Sequence, residues 1–402
     1  MKVPNVYFVT LGRSDYSTIR PIVRAAMADS KVDAKLIVGG GHLLTRHGHS
    51  ISQIEEDGFS IHTTVDFLSE RVLDVVELAH SYERAISHFV RIFSLEQPDY
   101  VFVVGDRWEM LAVVSASSLL QIPVIHHSGG DITQGSADNQ IRYAITNLSH
   151  LHLVALDQHR ERLLKLGEED WRVITSGEPA LTELETYASA VSDIQGELGI
   201  PSSQQFVLAT FHPTSFDVLP VADQIEIYLQ ILDCIQDPIV ITAPNADAGS
   251  DLFLQKIKEY VSRNERVRFV ENLGSEKYYA AMSQALYMMG NSSSGMWESS
   301  SFGLPVLNIG NRQSGRVHGE NVVNVPLQIS AIREGIEIVA SPQWREKSRH
   351  CRNPYLRKDT IDIILTCLKA PWDRSQLLAK KFIDPLARED NLGIQGNSGK
   401  GS

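Results

Sequence analysis

The chain has 402 residues, which at about 150 residues per domain is enough for two or three domains. Hydrophobic residues make up 43% and charged residues 21%, a balance that excludes wholesale disorder and fibrous repeats. With 37 Lys+Arg against 49 Asp+Glu the net charge is −12, which argues against nucleic-acid and anionic-membrane partners but leaves room for a small phosphate-bearing ligand. The three cysteines, Cys234, Cys351 and Cys367, form no paired motif. No run of about 18 apolar residues occurs, and the expected setting is a reducing cytoplasm.

Short apolar runs alternate with helical patterns. Val6–Thr10 leads through Gly12 and Arg13 to a helix expected from about Ser17. Ala34–Val38 ends in Gly39-Gly40-Gly41, and Tyr100–Val104 ends in Gly105-Asp106-Arg107 before an amphipathic stretch, Trp108–Leu120. Pro123–His126, Leu151–Ala155 and Arg172–Thr175 continue the series. Ala188–Gln205 reads as a linker or domain joint, after which Phe206–Phe211, Pro238–Thr242, Arg268–Glu271, Leu286–Met289 and Pro305–Ile309 repeat the rhythm. Continuous apolar strands between helices predict parallel sheets covered on both faces, hence two doubly wound Rossmann-like α/β domains with a ligand cleft between them. The expected division is 1–185, 186–375 and a C-terminal segment 376–402 with a Gly/Ser-rich disordered tail. Val72–Leu95 reads either as an assembly surface or as ordinary sheet cover.

Four loops after strands carry polar residues that a core does not use. Gly12-Arg13-Ser14-Asp15-Tyr16-Ser17 places a glycine turn and an arginine at a helix start, where anions bind. Asp106 sits at a strand end, either facing a crevice or capping the next helix. His126-His127-Ser128-Gly129-Gly130-Asp131 is followed by Asp138 and Arg142, which share a helix face and can pair. Adjacent histidines point to opposite faces of a strand, so no metal site is expected. In the second half, Phe211-His212-Pro213 and Pro244-Asn245 precede the turn Ser292-Ser293-Ser294-Gly295. That turn resembles a phosphate cradle, with Glu298 one turn on and Arg312 and Arg316 beyond. Together these predict nucleotide diphosphate binding.

The segments GRSDYS, PDYVFVVGDRWE, GGD with DNQIRYAIT, FHP, PNADAGSD, SEKYYAAM, GNSSSGMWE and NIGNRQSGR occur in this order. In combination they resemble the hydrolysing UDP-N-acetylglucosamine 2-epimerases, over roughly residues 5–370. The resemblance implies a glycosyltransferase-B-like pair of domains and a two-stage reaction without a redox cofactor. A base removes the sugar C2 proton while the nucleotide leaves C1; water then adds to the glycal, and the free sugar is inverted at C2. It also implies roles for particular residues. Arg13, Ser17, Arg107, Ser292, Ser293 and Arg312 hold diphosphate or uridine, with Ser294, Gly295 and Arg316 beside them. Glu298 binds ribose, and Asn245 lines the pocket. Asp106, Asp131, Asp138, Arg142 and His212 serve proton transfer or sugar placement.

The expected substrate is a UDP-linked sugar, most simply UDP-N-acetylglucosamine, and the expected assembly is a homodimer or homotetramer. The sugar-facing block departs from the family pattern. Ser128 stands where a catalytic Glu or His is usual, Asp131 where a Glu closes the motif, and Asn139 and Tyr143 where a second acid and a His are common. These departures keep a second reading open: a hydrolase of the same fold that cleaves the C1–O bond without inverting C2.

Overall fold

The computed structural model describes residues 2–384 apart from 46–49, 70–74, 134–137, 215–218 and 245–248. The expected disordered tail, from about Leu386, lies outside the described residues.

The first lobe is a seven-stranded sheet of β1 (Asn5–Thr10), β2 (Asp33–Gly39), β3 (Ile61–Val65), β4 (Tyr100–Val104), β5 (Val124–His127), β6 (Leu151–Val154) and β7 (Val173–Thr175), in the order β3-β2-β1-β4-β5-β6-β7. The second is a six-stranded sheet of β8 (Val207–Thr210), β9 (Ile239–Thr242), β10 (Val267–Val270), β11 (Tyr287–Gly290), β12 (Val306–Ile309) and β13 (Val322–Val325), in the order β10-β9-β8-β11-β12-β13. All pairings are parallel. The central strands are apolar throughout because each feeds two cores. Val6 and Phe8 pack into one, while Tyr7 and Val9 pack into the layer on the opposite face.

Three features differ from the sequence expectation, and a fourth matches one of two readings. β3 and β13 carry polar residues, His62, Thr63, Thr64 and Asn324, because as edge strands they are only half buried. The first helix starts at Arg13 rather than near Ser17. The Asp15 carboxylate accepts the Leu11 and Gly12 amides at 2.8 and 2.9 Å and so closes that turn. Ala188–Gln205 is no free linker: Ile194, Leu198 and Ile200 are buried in the second lobe's core beside Tyr279 and Met282. The helix Val75–Glu96 buries Ala85, Phe89 and Phe93 against the first sheet, so that face is sheet cover.

The chain then crosses back. The helix Thr360–Lys369 inserts Ile364, Cys367 and Leu368 into the first lobe's core. Arg172 donates to the Leu377 carbonyl at 2.9 Å, and Lys380 donates to the Ser149 carbonyl at 2.8 Å. The first lobe is therefore built from both ends of the chain, which the division at 185 and 375 does not anticipate. Among the described residues no helix is long and apolar enough to cross a membrane.

Candidate functional site

Strand order reverses between β1 and β4 in the first sheet and between β8 and β11 in the second. Open α/β sheets bind ligands at the carboxyl ends of the strands at such points. The loops singled out in the sequence leave from these ends, and the two lobes face each other across a cleft with two chambers. The first is lined by Leu11, Asp15, Thr18, Asp106, Arg107, Glu109, Met110, Ser128, Asp131, Asp138, Arg142, Arg312 and Arg316. The second is lined by Arg13, Ser17, His212, Tyr278, Ser292, Ser294 and Glu298. Ser14, Ser293 and Trp297 border both, so the chambers adjoin.

The first chamber is a charge network. Arg142 projects inward from the helix Asp138–Leu148 and is 1% exposed. It ion-pairs with Asp106, donates to Thr133 Oγ1 at 2.8 Å, and donates to the Asp131 carbonyl at 2.9 Å. Burial and the nearby Arg316 draw its pKa down to about 9, still cationic at neutral pH. Asp131 pairs with Arg316 of the second lobe at 2.7 Å. Arg107 pairs with buried Glu109 at 3.2 Å. Gly130, at φ +76°, allows this loop to pass His159; a Cβ there would sit 2.4 Å from the His159 carbonyl oxygen.

Ser128 adopts φ +76°, a conformation rare for any residue but glycine. Its hydroxyl lies 2.9 Å from His127 Nδ1, and His127 Nε2 lies 3.1 Å from the Gly177 carbonyl. Burial lowers the His127 pKa to about 4, so the ring is neutral. A carbonyl only accepts, so Nε2 carries the proton and Nδ1 accepts from Ser128. The Ser128 hydrogen is thereby committed to the protein, and only lone pairs remain for a ligand. His126 is likewise buried, with its pKa lowered to about 3, and Nε2 donates to the Gly105 carbonyl at 2.8 Å.

The second chamber is organised by Asn291, which the sequence reading passed over. Its side chain accepts the His212 amide at 2.7 Å and donates to the His212 carbonyl at 2.8 Å, clipping two loops together. Its own carbonyl accepts Gln313 at 2.7 Å and Arg312 at 3.1 Å, tying the arginine loop to the serine turn. Gly290, at φ +129°, makes this possible, since a Cβ there would lie 1.8 Å from the Thr210 oxygen. Arg13 reaches across the cleft to the Glu271 carbonyl at 3.1 Å.

Glu298 is buried, and its Oε2 has no hydrogen-bond partner among the described residues. Burial and the nearby Glu178 carboxylate raise its pKa to about 7. An unsatisfied buried acceptor in a nucleotide-sized chamber suits a hydroxyl donor from a ligand.

Not every expected residue lines the cleft. Gly295 is buried and packs beside Val306, 3.0 Å from where its Cβ would be, so it acts in helix packing. His212 sits in the serine-lined chamber rather than among the carboxylates. Asn245 lies outside the described residues. Trp297, Thr133, Glu178 and Tyr278 were not anticipated. The GMW and KYY segments contain two of them, but an aromatic at helical spacing reads first as core.

These buried groups make unliganded stability depend on pH. Burial raises Asp15, Glu178 and Glu298 to about 7; below their ordinary values they are protonated in both states, and their contribution is lost as pH rises to 7. Burial lowers His42 and His126 to about 3 and His127 and His159 to about 4, so their contribution is lost as pH falls from about 6.5. Calorimetric melts of the unliganded protein are expected to show a maximum between about pH 5 and 6.5, with lower Tm at pH 8 and at pH 4. A Tm still rising from pH 6 to pH 8 would contradict this.

The family model described as UDP-N-acetylglucosamine 2-epimerase matches residues 24–369. The chain belongs to the UDP-N-acetylglucosamine 2-epimerase family. The epimerase is 32% identical over 388 residues (96% of its length and 100% of the relative's) to the GDP/UDP-N,N'-diacetylbacillosamine 2-epimerase (hydrolyzing) of Campylobacter jejuni. It is 32% identical over 340 residues, 83% of its length and 88% of the other's, to the UDP-N,N'-diacetylbacillosamine 2-epimerase (hydrolyzing) of Legionella pneumophila. Among solved structures, the Neisseria meningitidis UDP-GlcNAc 2-epimerase bound to UDP-GlcNAc shares the fold, with TM-score 0.78 at 19% identity over 90% of this chain and 99% of that one. The architecture is the glycosyltransferase-B-like one the resemblance implied, and the epimerase is an enzyme of the hydrolysing nucleotide-sugar 2-epimerase kind.

Proposed function

We propose that the protein converts a UDP-linked 2-acetamido sugar and water into UDP and the free sugar inverted at C2. The observation that carries this reading is the adjacency of the two chambers. A pocket of carboxylates and arginines adjoins a pocket of serines with Arg13 and the buried carboxylate of Glu298. A nucleotide sugar has the matching order of groups. Its sugar needs proton transfer, its diphosphate needs cations, and its ribose offers hydroxyls.

The proton on C2 passes to a carboxylate of the first chamber as the C1–O bond breaks and UDP departs. Asp106, Asp131 and Asp138 are the acids best suited to this, since Asp15 closes its own turn and Glu109 is paired with Arg107. Arg312 and the Ser292–Ser294 turn meet the charge that develops on the leaving diphosphate. Water then supplies the oxygen at C1, and a proton returns to C2 from the opposite face. Glu298 accepts from the ribose. No step calls for a redox cofactor.

The names of the Campylobacter and Legionella relatives support a 2,4-diacetamido sugar beside UDP-N-acetylglucosamine as the substrate. Leu11, Val104 and Met110 along the first chamber suit a sugar carbon without a hydroxyl. Cleavage without inversion is the second reading. Ser128 favours it, since its hydroxyl is tied to neutral His127 and supplies no carboxylate.

Proton NMR of reactions in D2O with UDP-N-acetylglucosamine and UDP-N,N'-diacetylbacillosamine tests the reading. Released sugar is expected to be inverted and to carry one deuterium at C2. Released sugar with its original configuration and proton at C2 would replace this function with simple hydrolysis.

A further inference from the structure

Arg316 holds a position that its role in the second lobe does not require. It leaves the arginine loop, lies 4.7 Å above the Trp297 ring, and crosses the cleft to Asp131 of the first lobe at 2.7 Å. Its Nη2 also donates to Thr133 at 3.3 Å, while Nη1 donates to Gln313 at 2.8 Å. Its Nε is buried without a partner among the described residues. The guanidinium lines the same chamber as Ser293 and Arg312, so an anion gripped by those two lies in the space Arg316 borders. Asp131 is buried, and apart from Arg316 its carboxylate has His159 Nε2 at 3.6 Å and the Ile132 amide at 2.8 Å.

We infer that Arg316 is an exchangeable cation, paired with Asp131 when the cleft is unliganded and transferred to the diphosphate when a nucleotide sugar binds. The inference rests on the proposed function. The Trp297 face lets the guanidinium slide in its own plane without losing its cation–π contact. Gln313 keeps Nη1 within the second lobe, next to the Asn291 carbonyl that anchors the serine turn. Diphosphate offers Arg316 two charged acceptors in place of one carboxylate, and engages the idle Nε–H. Asp131 is then left without its strongest cation. Asp131 thus becomes available to the sugar only once the leaving group is held. Asp131 and the ligand compete for one cation, so the carboxylate opposes nucleotide binding.

UDP titration by calorimetry over a double-mutant cycle tests this. Asp131→Asn is expected to tighten UDP binding about tenfold while abolishing most turnover. On the Arg316→Gln background the same change is expected to alter the dissociation constant less than about twofold. Equal tightening on both backgrounds would reduce Asp131 to simple repulsion of the ligand and overturn the exchange, as would no tightening at all. A parent protein that does not bind UDP would overturn the proposed function, and the exchange with it. A crystal structure of the unaltered protein with UDP needs no variant. The Asp131–Arg316 separation of 2.7 Å is expected to open beyond about 4 Å, the limit of an ion pair. A pair still closed around bound UDP would sink the exchange.

Discussion

Asp106→Asn is expected to lower kcat about a thousandfold and to leave the UDP dissociation constant within about threefold of the parent. The side chain extends from the end of β4 into the first chamber and does not line the chamber that holds Ser292, Ser294 and Glu298, so its removal touches proton transfer and sugar placement more than the nucleotide grip. It also forms an ion pair with Arg142, which is 1% exposed and has an unpartnered Nε. The Asn variant therefore leaves a buried guanidinium with less compensation, at a cost of about 2 to 4 kcal/mol, and a Tm several degrees lower is expected alongside. The Asp131 carbonyl and Thr133 still hold Arg142, so the fold survives. Single-turnover kinetics and UDP calorimetry on the same preparation make the comparison. Equal losses in turnover and UDP affinity would remove Asp106 from the chemistry and make it a structural support of the cleft.

Glu298→Gln is expected to move stability and affinity in opposite directions. In the unliganded protein its carboxylate is buried next to Glu178, and one oxygen has no partner. Holding it ionised at pH 8 costs about 3 kcal/mol, because its pKa is raised from 4.5 to about 7. The neutral amide avoids that cost, so the variant's Tm at pH 8 is expected to rise by a few degrees and its pH dependence above 6 to flatten. Ribose hydroxyls, in turn, lose a charged acceptor. Hydrogen bonds to charged groups contribute about 1.5 to 3 kcal/mol, so UDP binding is expected to weaken about thirtyfold. A Gln variant that binds UDP as the parent does would exclude Glu298 from ligand recognition, and a lower Tm at pH 8 would show that the ionised carboxylate is satisfied in a way the unpartnered oxygen does not suggest.

Much of the fold is legible in one dimension. Strands buried on both faces are largely apolar, and so β1, β4, β8, β9, β11 and β12 stand out between helical patterns. β3 and β13 do not, because half of each faces water. Glycine followed by charged residues after a strand marked Asp106 and the Ser292–Ser294 turn, since a polar loop at such a strand end has no role in a core. Gly295 carried the same local signal and proved to be packing. A glycine that admits a ligand and one that admits a neighbouring helix look alike until the neighbour is in place.

What the amino-acid order determined alone was the two-lobed parallel architecture, the family, and the loops at which chemistry gathers. These follow from local period, backbone preference and motif order, each readable within a few residues. Only the tertiary structure decided which charges meet. Thr133 and Arg316 are 183 residues apart in the chain yet hydrogen-bonded, and the return of residues 360–380 to the first lobe has no local signature. The pairing of Asp131 with Arg316 depends on how the two lobes dock, and the Asn291 clip depends on β8 and β11 lying side by side; no single segment encodes either.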